Sequence, residues 1–211
     1  MGFAGQKCTA TSRFIVVGDE KRYREVSDAI VAAVEKLTPA NPADDGVLVG
    51  PVITQDAQRE FLEAAAAVSA RGGKLLTGGH VTGSDGWFVA PAVFTGVDLK
   101  DPLMSEEVFA PFAGLTHVKT LDEAISQANG VRYGLTASVH GRDIEAIIRA
   151  AHSLKTGMVK VNSPTAGVDF HAPFGGTKDS SYGQREQGKD ALRFYTMTRT
   201  ITLGSGTKAI D

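Results

Sequence analysis

The chain has 211 residues, 42% of them apolar and 22% charged, with a formal net charge of −2. That length suits one domain with a full core and excludes two large ones. The interspersed charge excludes the positive footprint of a nucleic-acid binder, no apolar run reaches membrane-spanning length, and "MGFAGQKC" lacks the pattern of a secretory signal, so a cytoplasmic location is expected.

The first stretch, "GFAGQKCTATSR", holds Cys8, the only cysteine of the chain. A lone cysteine forms no intrachain disulfide, and a structural zinc site needs several ligands. Two readings stay open on the residue alone: a small buried hydrophobe or a thiolate nucleophile. Small polar neighbours and a preceding glycine favour exposure. Lys7 offers a positive charge if its side chain turns toward the sulfur.

Arg13 to Val17 ("RFIVV") reads as a buried strand. Asp19 caps a predicted helix whose apolar positions are Tyr23, Val26, Ile30, Ala33, Val34 and Leu37. Within it Lys21, Arg22 and Arg24, flanked by Glu20 and Glu25, form a solvated face. "TPANPADDG" is a loop by composition. Thr54 opens a second helix with Ala57, Phe61, Leu62, Ala65 and Val68 on one face, stopped by Gly72 and Gly73. A glycine-rich, strand-poor stretch follows, with Trp87 to Phe94 its extended part.

From Phe112 the pattern becomes regular. A strand near Leu115 to Val118 leads to "TLDE", a capping box of Thr120 with Glu123. The helix it starts ends at Asn129 and Gly130. A strand at "LTASVH", a helix capped by Asp143 with Ile144, Ile147, Ile148, Ala151 and Leu154 facing inward, and a strand at "MVKV" complete the run. Strand and helix alternating at these lengths predict right-handed crossovers and one open, twisted, mostly parallel sheet with flanking helices, an α/β fold. The end, "REQGKDALRFYTMTRTITLG", predicts a helix running into a short strand without a partner in that pattern.

Several chemistries find no support. No G-x-G-x-x-G fingerprint occurs, and "GGTK" at Gly175 to Lys178 lacks the earlier glycine of a phosphate loop. His80, His117, His140, His152 and His171 show no metal-ligand spacing, so no metal site is expected. Glu106 and Glu107 are adjacent carboxylates, and on an extended segment neighbours point to opposite faces. Spacing alone favours two surface charges. Phe170 and His171 beside "APFGG" read as loop anchors or pocket walls.

Three segments together are recognisable. "GQKCTATSR" resembles the nucleophile motif of the aldehyde dehydrogenase superfamily. "SEEVFAP", from Ser105, resembles its Glu-Glu-(Ile/Val)-Phe-Gly-Pro segment, and "PFGGTKDSSYGQREQG", from Pro173, its C-terminal Pro-Phe-Gly-Gly segment. They occur in the family's order and span essentially the whole chain. Ala110 departs from the pattern, standing where glycine is usual, which predicts a slightly different loop after Phe109.

The resemblance implies the catalytic domain of an aldehyde dehydrogenase at residues 1–188 and an oligomerisation arm at residues 189–211. It makes Cys8 the nucleophile. Glu107 and Phe109 become contacts of the nicotinamide-side ribose and ring, and Phe170 and Phe174 walls of the aldehyde entrance. It implies NAD or NADP, bound mainly by an N-terminal domain outside these residues, together with the general-base glutamate and an oxyanion asparagine. A homo-oligomer, dimer or tetramer, a small aldehyde substrate and inactivity of the chain by itself are further implications. "NSPTAGVDFHAPFGGTKDSSYGQREQG" is most similar to 2-oxoglutarate semialdehyde (2,5-dioxopentanoate) dehydrogenases. The competing expectation is a non-catalytic folded module acting only in association.

Overall fold

A computed structural model describes residues 1–83, 85–204 and 206. Strand β1 (Arg13–Val17) is followed by α1 (Glu20–Glu35), whose first turn is closed by the Asp19 carboxylate accepting from the Arg22 N–H at 2.8 Å. Helix α2 (Gln55–Ala70) starts where the Thr54 hydroxyl accepts from the Ala57 N–H. Strands β2 (Lys74–Thr77) and β3 (Ala92–Thr95), the short α3 (Pro102–Ser105) and β4 (Phe112–Val118) come next. Helix α4 (Leu121–Asn129) carries both halves of the Thr120–Glu123 capping box.

These strands form one sheet in the order β1-β4-β3-β2. The pairs β1–β4 and β3–β4 are parallel, and β2 runs antiparallel along the far edge. Alternation divides the sheet's side chains between its two faces. Ala92 and Phe94 of β3 and Phe112 of β4 join Phe61, Ala65 and Val68 of α2. Val93, Leu115 and Val16 join Val34 of α1. Phe94 stacks on Phe112 with centroids 4.6 Å apart, and Phe61 meets Phe112 edge-on at 6.1 Å. Gly114 makes this possible, because a Cβ there would overlap the Met104 sulfur and crowd the Phe94 ring.

The second half is built differently from the expectation. Strands β5 (Tyr133–Gly134) and β8 (Thr177–Lys178) form an antiparallel pair, while β6 (Thr136–Val139) and β7 (Met158–Val161) form a parallel pair around α5 (Ile144–Ser153). The predicted single sheet is therefore split. Among the described residues, β1 has β4 on one edge only and β6 has β7 on one edge only. A groove of about 1020 Å³ separates the two open edges, floored and walled by α1, α4 and α5. Merging the two edges into one sheet needs a strand between them, and among the described residues none lies there. Ile144 and Ile148 of α5 are exposed, where the sequence pattern expected them inward, and it is Ile147 and Ala150 that are buried and face the groove. Ala33 of α1 likewise faces solvent.

Strand β2 lies in the stretch expected to be poor in strands. Its leucines are not β-branched, and pairing with β3 decides its conformation rather than local propensity. At the chain's end, α6 (Ala191–Tyr195) follows a 3-10 turn at Gly188–Asp190, but no strand follows among the described residues. Leu192, Tyr195, Met197, Ile201 and Leu203 are exposed, and among the described residues no strand pairs with this segment. No helix of the described residues is long and apolar enough to cross a membrane.

The stack of Phe94 on Phe112 predicts that Phe94→Ala costs about 3–5 kcal/mol, because the surrounding core cannot collapse fully into the space. Urea unfolding followed by circular dichroism measures it, and a loss below about 1 kcal/mol would show that this ring pair is not central to the core.

Candidate active site

The residues before β1 form the site's first wall. Gly2–Gly5 make a 3-10 turn in which Phe3 (φ 56°) and Ala4 (φ 52°) take left-handed backbone angles. Such angles are costly for residues with a Cβ and persist only where the surroundings enforce them. Gly5 (φ 69°) belongs to the same turn, and a Cβ on it would overlap the Ala110 carbonyl. Only glycine lets the first motif lie this close to the second. The Gln6 side-chain oxygen accepts from the Ile53 N–H at 2.9 Å, fixing the turn's far side.

Cys8 follows in a tight turn closed by the Ala10 N–H donating to the Lys7 carbonyl at 2.8 Å. Its side chain is exposed, and its own N–H donates to no protein acceptor among the described residues. The Lys7 ammonium lies 5.2 Å from the Phe3 ring centre, a cation–π contact. Thr9, by contrast, is buried, and its hydroxyl has no hydrogen-bond partner among the described residues.

The second wall precedes β4. The paired carboxylates part company, as adjacent residues on an extended segment do. Glu106 accepts from Arg132 Nε at 3.2 Å and from the Tyr133 hydroxyl at 3.0 Å, and Arg132 also reaches Asp179 at 3.4 Å. Both carboxylates line the groove that Cys8 also lines and a small cleft shared by Phe109, Ala10 and Arg13, but only Glu106 is engaged there by side-chain donors. Solvent reaches Glu107, yet partial desolvation pushes its carboxyl pKa upward. Phe109 is exposed and left-handed (φ 52°), whereas Ala110 is buried and is not among the residues with positive φ. The departure from glycine at Ala110 therefore meets no backbone obstacle; the unusual angle falls on Phe109.

The third segment leaves β7 at Asn162, which takes φ 48° and pins its amide to both the N–H and the carbonyl of Gly141. The chain then runs back along β6. Phe174 is part-buried and exchanges backbone hydrogen bonds with Glu186 at 2.6 and 3.0 Å. Phe170 is 85% exposed and touches His171 edge-on. The structure thus brings Cys8 and Glu107 to one groove with Phe109 beside it. Phe170 and Phe174 line neither that groove nor the small cleft. Thr165 was missed by sequence reasoning, although it touches the turn that carries Cys8; its only signal was a hydroxyl in the "PTAG" loop.

Among the described residues no cluster of His, Cys, Asp and Glu could hold a metal ion. His117 has a structural occupation: its Nε2 lies 2.8 Å from the Gly18 carbonyl, and the ring stacks on Tyr23.

A three-layer α/β body with a solvent-facing cysteine in a tight turn at one sheet end defines a candidate thiol enzyme. The chain belongs to the aldehyde dehydrogenase family, whose signature, described as "Aldehyde dehydrogenase family", matches residues 1–201. Over 204 residues it is 38% identical to "2,5-dioxopentanoate dehydrogenase" of Saccharolobus solfataricus, covering 96% of this chain and 42% of that protein. It is 33% identical over 201 residues to "Alpha-ketoglutaric semialdehyde dehydrogenase" of Bacillus subtilis, covering 93% of this chain and 41% of that protein. A solved betaine aldehyde dehydrogenase variant from Staphylococcus aureus, in complex with NAD+ and with a BME-modified cysteine, superposes with a TM-score of 0.89 at 30% identity, covering 99% of this chain and 43% of that one. The chain thus spans about two fifths of the length of these relatives.

The raised pKa of Glu107 has a definite sign. Desolvation disfavours the ionised form in the folded state, so the penalty is absent below the unfolded carboxylate pKa of about 4.3 and full above the raised folded value. Glu107→Gln is therefore expected to raise the melting temperature at pH 7 and to leave it unchanged near pH 3.5, by differential scanning fluorimetry against the unchanged protein. A lower melting temperature at pH 7 would show that the carboxylate is held by a favourable contact.

Proposed function

We propose that the protein to which this chain belongs oxidises an aldehyde to a carboxylic acid with a nicotinamide coenzyme, and that Cys8 is its nucleophile. The observation that carries the reading is the exposure of the chain's only cysteine, at the tip of a turn, on the groove it shares with Glu107. The nucleophile segment is also part of the region that matches the family.

An aldehyde carbonyl has no leaving group, so a nucleophile must first make its carbon tetrahedral. The Cys8 thiolate forms a C–S bond to that carbon, and the carbonyl electron pair moves to oxygen. The unengaged Cys8 N–H is available as a donor to the resulting oxyanion. The bound nicotinamide supplies the hydride acceptor that takes the adduct to the oxidation level of an acid. Cys8 then carries the acyl group as a thioester. Water adds to its carbonyl carbon, the C–S bond breaks, and the thiolate returns as leaving group.

The residues present fit such a coenzyme by their chemistry. Glu107 offers carboxylate oxygens, and no side-chain donor among the described residues engages them, leaving them for ribose hydroxyls. Phe109 presents an exposed ring beside the same cleft. Phe170 and Phe174, on the segment after β7, are assigned to the aldehyde entrance. NAD or NADP is held mainly by parts of the protein outside this chain, which also supply the general base. The chain alone is therefore inert, the working enzyme is a cytoplasmic homo-oligomer, dimer or tetramer, and residues 189–211 form its arm.

The substrate assigned is a short ω-oxo acid such as 2-oxoglutarate semialdehyde, supported by the names of two relatives. An ionised carboxylate entering a pocket needs a cation or several N–H donors. Residues 163–171 contain hydroxyls and one imidazole but no Lys or Arg, so the cation comes from outside this loop.

The test compares kcat/KM of the full-length enzyme for 2-oxoglutarate semialdehyde, succinic semialdehyde, hexanal and benzaldehyde, with Cys8→Ala as control. The oxo acids are expected to lead, with no turnover by the control. Preference for hexanal or benzaldehyde removes the substrate assignment, and turnover by Cys8→Ala removes the mechanism. Loss of one charge-assisted hydrogen bond in Glu107→Gln is expected to cost about 1.5–3 kcal/mol in coenzyme positioning, read as slower hydride transfer in single-turnover kinetics. Unchanged kinetics would leave Glu107 as a surface charge.

A further inference from the structure

We infer that Thr165 is a positioning residue for Cys8, acting as a hydroxyl peg that holds the downstream limb of the nucleophile turn. The inference rests on the reading of Cys8 as the nucleophile. Its geometric half, that Thr165 fixes the turn, stands independently of that reading.

The peg itself is anchored. After the reversal at Asn162, the Ser163 carbonyl accepts from the Ser138 hydroxyl at 2.5 Å and the Thr165 carbonyl from the Thr136 hydroxyl at 3.5 Å. Two residues later the Gly167 carbonyl accepts from Lys160 Nζ at 2.5 Å. The backbone on both sides of Thr165 is thereby tied to β6 and β7. The Thr165 hydroxyl leaves this platform toward the nucleophile segment. Its oxygen lies 2.7 Å from the Thr9 carbonyl and 2.9 Å from the Thr11 hydroxyl.

Counting protons fixes the direction of both bonds. A carbonyl only accepts, so the single Thr165 hydroxyl proton goes to the Thr9 carbonyl. The bond between the two hydroxyls must then be donated by Thr11. The result is a directed relay from Thr11 through Thr165 to the Thr9 carbonyl. It grips the chain on both sides of Ala10, the residue whose N–H closes the turn that presents Cys8. Thr9 is buried, so water is a poor substitute for the lost donor. The exposed sulfur next to it makes no anchoring contact of its own among the described hydrogen bonds. Its position is inherited from the backbone that Thr165 holds. The relay also crosses between the β6–β7 unit and the β1 sheet, and it belongs to the same segment that continues to Phe170 and Phe174. A change at that segment is thus transmitted to the nucleophile through one hydroxyl.

The experiment compares Thr165→Val, which keeps the shape and removes the hydroxyl, with Thr165→Ser, which keeps the hydroxyl. Amide hydrogen exchange over residues 8–12 is expected to rise about tenfold in T165V and to stay within about threefold in T165S, as loss of one buried hydrogen bond implies. In the full-length enzyme kcat is expected to fall about tenfold in T165V, with KM for the aldehyde changed less than about twofold and kcat restored in T165S. Unchanged exchange in T165V overturns the inference, as does raised exchange with unchanged kcat. An equal loss in both variants, with exchange rising throughout the protein, also overturns it, because that marks general destabilisation. If the unchanged enzyme turns over no aldehyde through Cys8, the proposed function fails. Hydrogen exchange alone then decides whether Thr165 holds the turn.

Discussion

The parallel pairing of β1 with β4, in the register Arg13 with Gly114 through Val17 with Val118, is the constraint on which the site depends. In an antiparallel pair the segments before two strands lie at opposite ends. In a parallel pair they lie at the same end. The turn bearing Cys8 precedes β1, and the loop bearing Glu107 and Phe109 precedes β4. Pairing alone therefore places two segments about a hundred residues apart in sequence side by side. Gly5 completes the approach, and the Arg13 guanidinium secures the strand from its other face by donating to the Gln127 and Ala128 carbonyls at 3.2 and 3.1 Å. Those carbonyls end α4, where a cation also opposes the helix dipole.

Order and strain are unevenly distributed over this frame. The four-stranded sheet is buried on both faces by α1 and α2, and its side chains alternate cleanly between two clusters. The β6–β7 unit has cover on fewer sides. Left-handed backbone at non-glycine residues falls at Phe3, Ala4, Phe109, Asn162, Lys178 and Gln187. Phe3, Ala4 and Phe109 belong to the two segments that carry Cys8 and Glu107, and Asn162 to the reversal after β7. Such angles survive where neighbouring structure over-determines them. Here Asn162 is held by two hydrogen bonds to Gly141, and Lys178 by its ammonium on the carbonyls of Asn129 and Val131.

Much of the fold was legible because helix boundaries are local. Asp19, Thr54, Thr120 and Asp143 each announced a helix start, and each accepts the expected backbone N–H. Strand β2 was not legible, since a run of leucines after two glycines carries no strand signal of its own. The split between β1 and β6 was invisible for a deeper reason: periodicity reports which residues want burial, not which strand lies next to which. It expected Ile144 and Ile148 inward, whereas the buried positions of that helix are Ile147 and Ala150. At the site, the ordered motifs singled out Cys8 and Glu107, which the structure brings to one groove, and residue chemistry could not have separated Glu107 from Glu106. Thr165 escaped because a threonine in a polar loop looks like any other until the distant carbonyl it serves is known.

The bond from Thr165 to Thr9 spans 156 positions of the sequence. A contact of that range forms late, since its loop must close before the bond contributes anything. On a ribosome adding roughly 5–20 residues each second, the segment with Cys8 emerges roughly 10–30 s before the hydroxyl that holds it. Throughout that interval the Cys8 backbone lacks the contact that fixes it, while the thiol is open to solvent as it also is in the finished fold. The turn takes its final geometry only from the moment its other half has been synthesised.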